Sequence, residues 1–137
     1  VKLSEEQQQK IQAYADENSL TLDEAFDQVF RRGVAVLRSQ RVSDAIPPEL
    51  KDFIVSDYHT VSGWARFKGT RMPLQVLVDN LREGMTPEEF LENYPSEISL
   101  EDIATVQDWL KTLPPWDGID RENMPEAYRF MVQEERP

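Results

Sequence analysis

A chain of 137 residues suffices for one ordinary domain or two very small ones, and its 39% apolar content is too high for a disordered chain. The absence of Cys excludes disulfides, zinc–thiolate sites and cysteine nucleophiles, and suits a reducing compartment. The formal charge of −11 is uneven: residues 84–137 hold thirteen acidic and four basic side chains while residues 1–83 are nearly neutral, which suggests two jobs or, more simply, acidic helices that keep a small protein soluble.

No stretch approaches the roughly 18 apolar residues of a membrane helix. The chain opens on a Gln- and Glu-rich run rather than a signal-peptide pattern. It therefore reads as cytoplasmic, with no membrane partner.

The first predicted helix starts at Ser4, which has capping-box spacing to Gln7. Its apolar face is thin: Ile11, Tyr14 and Ala15. A second start follows at Thr21, with Glu24 completing another box, and Leu22, Phe26, Val29, Phe30, Gly33 and Leu37 form a helical stripe. The leading VKL suits a short strand. Together, residues 1–41 resemble the ribbon-helix-helix DNA-binding fold. That resemblance implies an intertwined homodimer, with Lys2 facing DNA and Leu3 the core. The same residues also read as a plain helical dimerisation hairpin, with Leu3, Phe26, Val29 and Phe30 as its interface. A small domain does not leave that stripe in water.

Residues 42–52 carry a polar start and Pro47-Pro48, and read as a linker. Next, residues 53–56 and 65–68 read as two short strands, with Gly63 and Gly69 serving turns. Pro73 opens a helix whose stripe is Leu74, Leu77, Val78 and Leu81, and Gly84 ends it. Thr86, Pro87 and Glu89 start another helix, with Met85 and Phe90 placed as a hydrophobic staple. Ser99 and Asp102 start a third, which buries Ile103, Val106, Leu110 and Trp109. The predicted fold class is mainly α. It comprises an N-terminal helical hairpin and, over residues 53–113, a small β-hairpin with three helices in a helix-turn-helix-like layout.

Within that domain, IVSD, Gly63, KGTRMPL (Lys68–Leu74), EGMTPEEFLENYP (Glu83–Pro95) and LEDI (Leu100–Ile103) occur in order. On these marks, residues 54–110 resemble domain-of-unknown-function family 433. Ser62 and Trp64-Ala65 depart from its pattern, which usually shows a second Gly and an Arg-Pro pair there. The resemblance implies a homeodomain-like helical fold, a small dimeric protein and pairing with a PIN-like ribonuclease toxin, this chain being the antitoxin. The tail, residues 114–137, follows Pro114-Pro115. It is acidic and aromatic, with one more helix start at Asn123 and Glu126.

Catalytic material is scarce. His59 is the only His and reads as a solvated loop residue; the alternative is a haem or metal held by paired His59 side chains in a dimer. No carboxylate pair, phosphate-cradling loop or nucleophile elbow stands out, so an enzyme is not expected and no cofactor is called for. The knot of Arg66, Lys68 and Arg71 lies beside a helix start, where a DNA phosphate would fit. The reading set ahead of it is bracing within the fold: the three pair with acidic groups of their own chain, and Thr70 and Arg71 brace the hairpin on the first helix of the domain, with phosphate contact left to the exposed edge. The third helix of the domain brings Glu101, Asp102 and Asp108 against Lys111 alone, which opposes DNA phosphate. Arg31, Arg32, Arg38 and Arg41 are the better cationic cluster, so operator DNA, if bound, falls to the front hairpin. Trp116, Tyr128, Phe130 and Met131 read as anchors for the nuclease on an acidic strip; the alternative is that the rear Trp residues finish a small core. The functional expectation is an antitoxin that neutralises a PIN-like nuclease. The alternative is a homodimeric regulatory or scaffold module without a nuclease partner, responsive to a ligand.

Overall fold

The computed structural model describes residues 2–133. The protein is mainly helical. Helices α1 (Glu5–Glu17) and α2 (Leu22–Ala45) form a hairpin. Strands β1 (Ile54–Val55) and β2 (Arg66–Phe67) follow, then helices α3 (Leu74–Arg82), α4 (Pro87–Asn93) and α5 (Leu100–Lys111).

Local chemistry places these starts. Ser4, Thr21, Thr86 and Ser99 each accept a hydrogen bond from the backbone N–H three residues on, and Gln7, Glu24 and Glu89 return it. Each such exchange satisfies donors that a helix N-terminus otherwise leaves without partners. The strands pair antiparallel, Ile54 opposite Phe67 and Val55 opposite Arg66. Helices α3, α4 and α5 pack on one another. Their core is Leu74, Leu77, Val78, Phe90, Ile103 and Val106, with Phe67 from the β-hairpin.

Three expectations change. Lys2 and Leu3 lie in no strand, because a ladder needs a partner and a single chain offers none there; Val1 lies outside the described residues. Residues 42–52 are not a spacer. Helix α2 continues through Ala45, and Val42, Ile46 and Leu50 are buried in the main core. The front hairpin and the central domain therefore share one rigid rod of 24 residues, about 36 Å long.

The tail is the third change. In place of a helix it makes two 3₁₀ turns, Arg121–Asn123 and Glu126–Tyr128. Pro125 lies between them; it has no N–H to donate and holds Met124 in extended backbone. Tyr128, Phe130, Met131 and Val132 are buried in the same core as α3–α5.

Candidate interaction surface

The front hairpin is held by little. Ala15 and Ala25 are buried, and the Tyr14 hydroxyl donates to Gln28 Oε1 at 2.9 Å. Beside that contact on α2, Phe26 is 47% exposed, Val29 47%, Phe30 61% and Leu37 67%. Leu3 joins them at the mouth of a groove lined by Ile11 and Tyr14. Phe26 and Phe30 stack on one another, centroids 6.4 Å apart, with water on their far side. The four residues assigned to a dimer interface thus stand together, and the described residues leave them 37–61% exposed.

The cations assigned to DNA do not share one role. Lys2 and Arg32 are exposed. Arg31 pairs with Asp27 at 2.9 Å, both well solvated. Arg38 lies over the Trp64 ring, 4.5 Å from its centroid, and so ties α2 to the β-hairpin. Lys68 and Arg71 are exposed.

Arg66 is inside the fold. It is 12% exposed and forms an ion pair with Asp57, and its Nη1 donates to the Thr70 carbonyl at 3.1 Å. The Thr70 hydroxyl donates to the Phe67 carbonyl at 2.9 Å and accepts from the Met72 N–H at 3.0 Å. Of the basic knot, then, Arg66 braces the turn between β2 and α3, while Lys68 and Arg71 face water. The hydrogen bond from Arg66 holds the Asp57 carboxyl below the usual carboxylate range; the Arg66 charge and the His59 N–H act the same way, against the cost of partial burial.

A folded-state pKa below the unfolded value, about 4, makes the stabilisation complete above that value and lost as pH falls through the lowered one. Asp57→Asn should therefore flatten the acid limb of a stability–pH curve measured by urea titration. At neutral pH it should cost about 1–3 kcal/mol, because it leaves a mostly buried guanidinium without its counter-charge. An unchanged acid limb would exclude this pair as its source.

The tail aromatics are not free anchors. Phe130 meets the Trp109 ring edge-on at 5.8 Å, and the Tyr128 hydroxyl donates to the Pro114 carbonyl at 2.8 Å. Trp116 is half-buried, its Nε1 donating to the Asp120 carbonyl at 2.8 Å. Met131 is 2% exposed. A partner cannot reach Tyr128, Phe130 or Met131 while the tail is docked. The reason is areal: α3–α5 are short, and without the tail Trp109 and its neighbours would face water.

Residues that the sequence did not single out hold the tail. The Arg82 guanidinium sits 5.2 Å from the Trp116 centroid and 5.7 Å from that of Tyr128, and pairs with Asp79 at 3.1 Å. Gly118 has φ +83°, and a Cβ there would collide with that guanidinium. Buried Gln75 accepts the Gln133 N–H at 2.9 Å, and Arg121 donates to the Gln133 carbonyl at 2.9 Å. Apart from the Asp79–Arg82 pair within α3, no local pattern announces these contacts, because they join segments far apart in sequence.

The acidic rear divides in two. On α4 and α5, Glu88, Glu89, Glu92, Glu101 and Asp108 are exposed. The cation beside them, Lys111, lies 3.9 Å from Asp108 and is 72% exposed. In the tail, Asp117, Asp120, Glu122 and Glu126 are exposed too, but Asp117 and Asp120 accept backbone N–H groups of their own loop and Glu126 pairs with Arg129 at 3.0 Å. Glu134 and Glu135 lie outside the described residues. His59 is exposed and lies tilted against Tyr58, centroids 3.8 Å apart. Among the described residues, no group of three His, Asp or Glu side chains is placed to hold a metal ion, and no helix is long and apolar enough to cross a membrane.

Residues 54–109 match the model of the family described as Protein of unknown function (DUF433). The match runs from β1 into α5 and omits both the α1–α2 hairpin and the tail. No curated protein and no solved structure matches the chain.

Proposed function

We propose that this chain is a non-enzymatic, antitoxin-type regulator that neutralises a PIN-like ribonuclease by laying the acidic α4–α5 surface across the nuclease's cationic RNA-binding groove. The observation that supports this reading most is the solvated run of Glu88, Glu89, Glu92, Glu101 and Asp108, with Lys111 as the cation beside it. Such a surface attracts a cationic groove over a Debye length, about 8–10 Å at physiological salt, and repels nucleic acid. In this reading α5 is not a DNA-reading helix, and any operator contact falls to the front hairpin through Lys2, Arg31 and Arg32. The tail aromatics support the acidic domain from within rather than gripping the nuclease.

The expected outcome of co-expression with an adjacent PIN-like nuclease is restored growth and suppressed RNA cleavage. Glu88→Gln, Glu92→Gln and Glu101→Gln together should lower the association rate about tenfold at low salt and less at high salt, with dissociation nearly unchanged. These three side chains are exposed, and the substitution leaves the Thr86–Glu89 capping box intact. A nuclease equally active with and without the protein would refute the assignment.

A second reading is a ligand-responsive scaffold without a nuclease partner. It is favoured by a cleft of about 320 Å³ whose lining includes Arg41, Pro47, Trp109, Glu126, Arg129 and Phe130, with Glu126 and Arg129 paired at 3.0 Å. An apolar floor with a few polar groups at its edge suits a small aromatic molecule. The absence of any adjoining nuclease gene would move the weight to this reading.

A further inference from the structure

The exposed face of α2 has two properties that a solvated helix face does not need. The first is extent. Leu22, Phe26, Val29, Phe30, Val34 and Leu37 are 37–67% exposed along one side of the helix. They leave on the order of 600 Å² in water, the upper end of what a monomer tolerates.

The second is Gly33. It lies mid-helix on that same face, one turn from Val29 and one from Leu37. A helix interior disfavours Gly, and the usual excuse for one is close packing or a positive φ. Neither applies within this chain: a Cβ at Gly33 would have nothing within 4 Å, and its φ is not positive. The gap is an unfilled hollow in an apolar ridge.

The stripe is also its own complement. Turning it end for end about the Val29–Phe30 step lays Leu22 on Leu37, Val29 on Phe30, and Phe26 on Gly33. The bulky ring thus falls on the hollow. The same turn sets the Asp27–Arg31 ion pair of one helix beside the equivalent pair of the other, with acid near base. A parallel pairing would stack Phe26 on Phe26 and leave both hollows empty. It would also align the two helix dipoles.

From the stripe, the hollow and their reversal symmetry, we infer that two copies of this chain associate through α2 packed antiparallel on α2, with Phe26 of each copy seated over Gly33 of the other. The interface is isologous, so every contact occurs twice. It removes up to about 1,200 Å² from water, the lower edge of a stable protein interface. Its seam lies on the front hairpin, outside the matched segment 54–109. Association through it stands or falls independently of the nuclease reading.

The chain has no Cys, so single introduced thiols report the register cleanly. Light scattering of the full chain should give twice the monomer mass. Under mild oxidation Val29→Cys should crosslink, because its Cα lies near the two-fold axis. Leu22→Cys alone should not, since the two copies of residue 22 stand about 22 Å apart along the helices, beyond the roughly 7 Å reach of a disulfide. A mixture of Leu22→Cys and Leu37→Cys chains should crosslink to a heterodimer. Gly33→Leu should keep its helix content by circular dichroism and weaken the dimer at least about tenfold, because the hollow is filled. A chain that stays monomeric at about 100 μM overturns the inference. So does crosslinking through Leu22→Cys alone, or a dimer indifferent to Gly33→Leu.

Discussion

Ending the chain after Leu113 is expected to leave most of it unfolded at 25 °C. The truncation removes Tyr128, Phe130, Met131 and Val132, each no more than 6% exposed. It uncovers the Trp109 edge that meets Phe130. It also strips Gln75, 7% exposed, of the backbone N–H its amide oxygen accepts. Loss of a single buried aromatic costs about 3–5 kcal/mol, and a domain of this size holds roughly 5–15 kcal/mol in all. Urea titration followed by circular dichroism should show the truncated chain past its midpoint in buffer. The single change Phe130→Ala should retain a cooperative transition shifted by about 3–5 kcal/mol. If the truncated chain keeps the full-length midpoint and slope, the tail is a separable appendage and the docking described above is wrong.

Gly63→Val should be nearly as damaging, although it adds only three carbons. Gly63 closes a 3₁₀ turn, Val61–Gly63, that packs on α2. Its φ is +82°, where a β-branched residue is strained. Its Cβ would stand 2.9 Å from the Ala35 carbonyl oxygen and 3.2 Å from the Ser39 nitrogen, both backbone atoms of a helix that cannot yield. The Ser56 hydroxyl, which donates to the Gly63 carbonyl, would be displaced along with the turn. Strain and overpacking together should cost about 3–5 kcal/mol. Gly69→Ala is the comparison. It shares the positive φ, but its Cβ would have nothing within 4 Å, so only the backbone penalty of roughly 1 kcal/mol remains. Equal losses for the two variants would show that backbone conformation, not the approach to α2, explains Gly63.

Most local signals in this chain are legible; the exceptions are the strand at Lys2-Leu3 and the tail helix. Four N-caps, the apolar stripe of α3, and Pro73 and Gly84 at its ends place the helices, because capping and periodicity act within a few residues. The two short strands, the mainly helical class and the matched segment from Ile54 follow from the same kind of pattern. The exposed stripe of α2 was legible too, since its spacing is helical and α1 offers too little apolar surface to cover it.

What depended on distant segments was decided by tertiary packing alone. Pro47-Pro48 reads as a boundary, yet Val42, Ile46 and Leu50 on either side are core. A proline pair ends a helix whether or not the next turn is buried. Trp116, Tyr128 and Phe130 read as anchors because aromatics suit an interface and a core equally well, and composition cannot say which area they cover. Arg66 reads as either a brace or a phosphate ligand until Asp57, nine residues upstream, is brought beside it. Sequence determined the five α-helices and two short strands, the charge of the rear and the apolar face of α2, all of which depend on residues a few places apart. Only the fold decided which aromatics are interior, which cations are occupied and why Gly63 has no side chain, because each depends on a surface assembled from residues the sequence keeps apart.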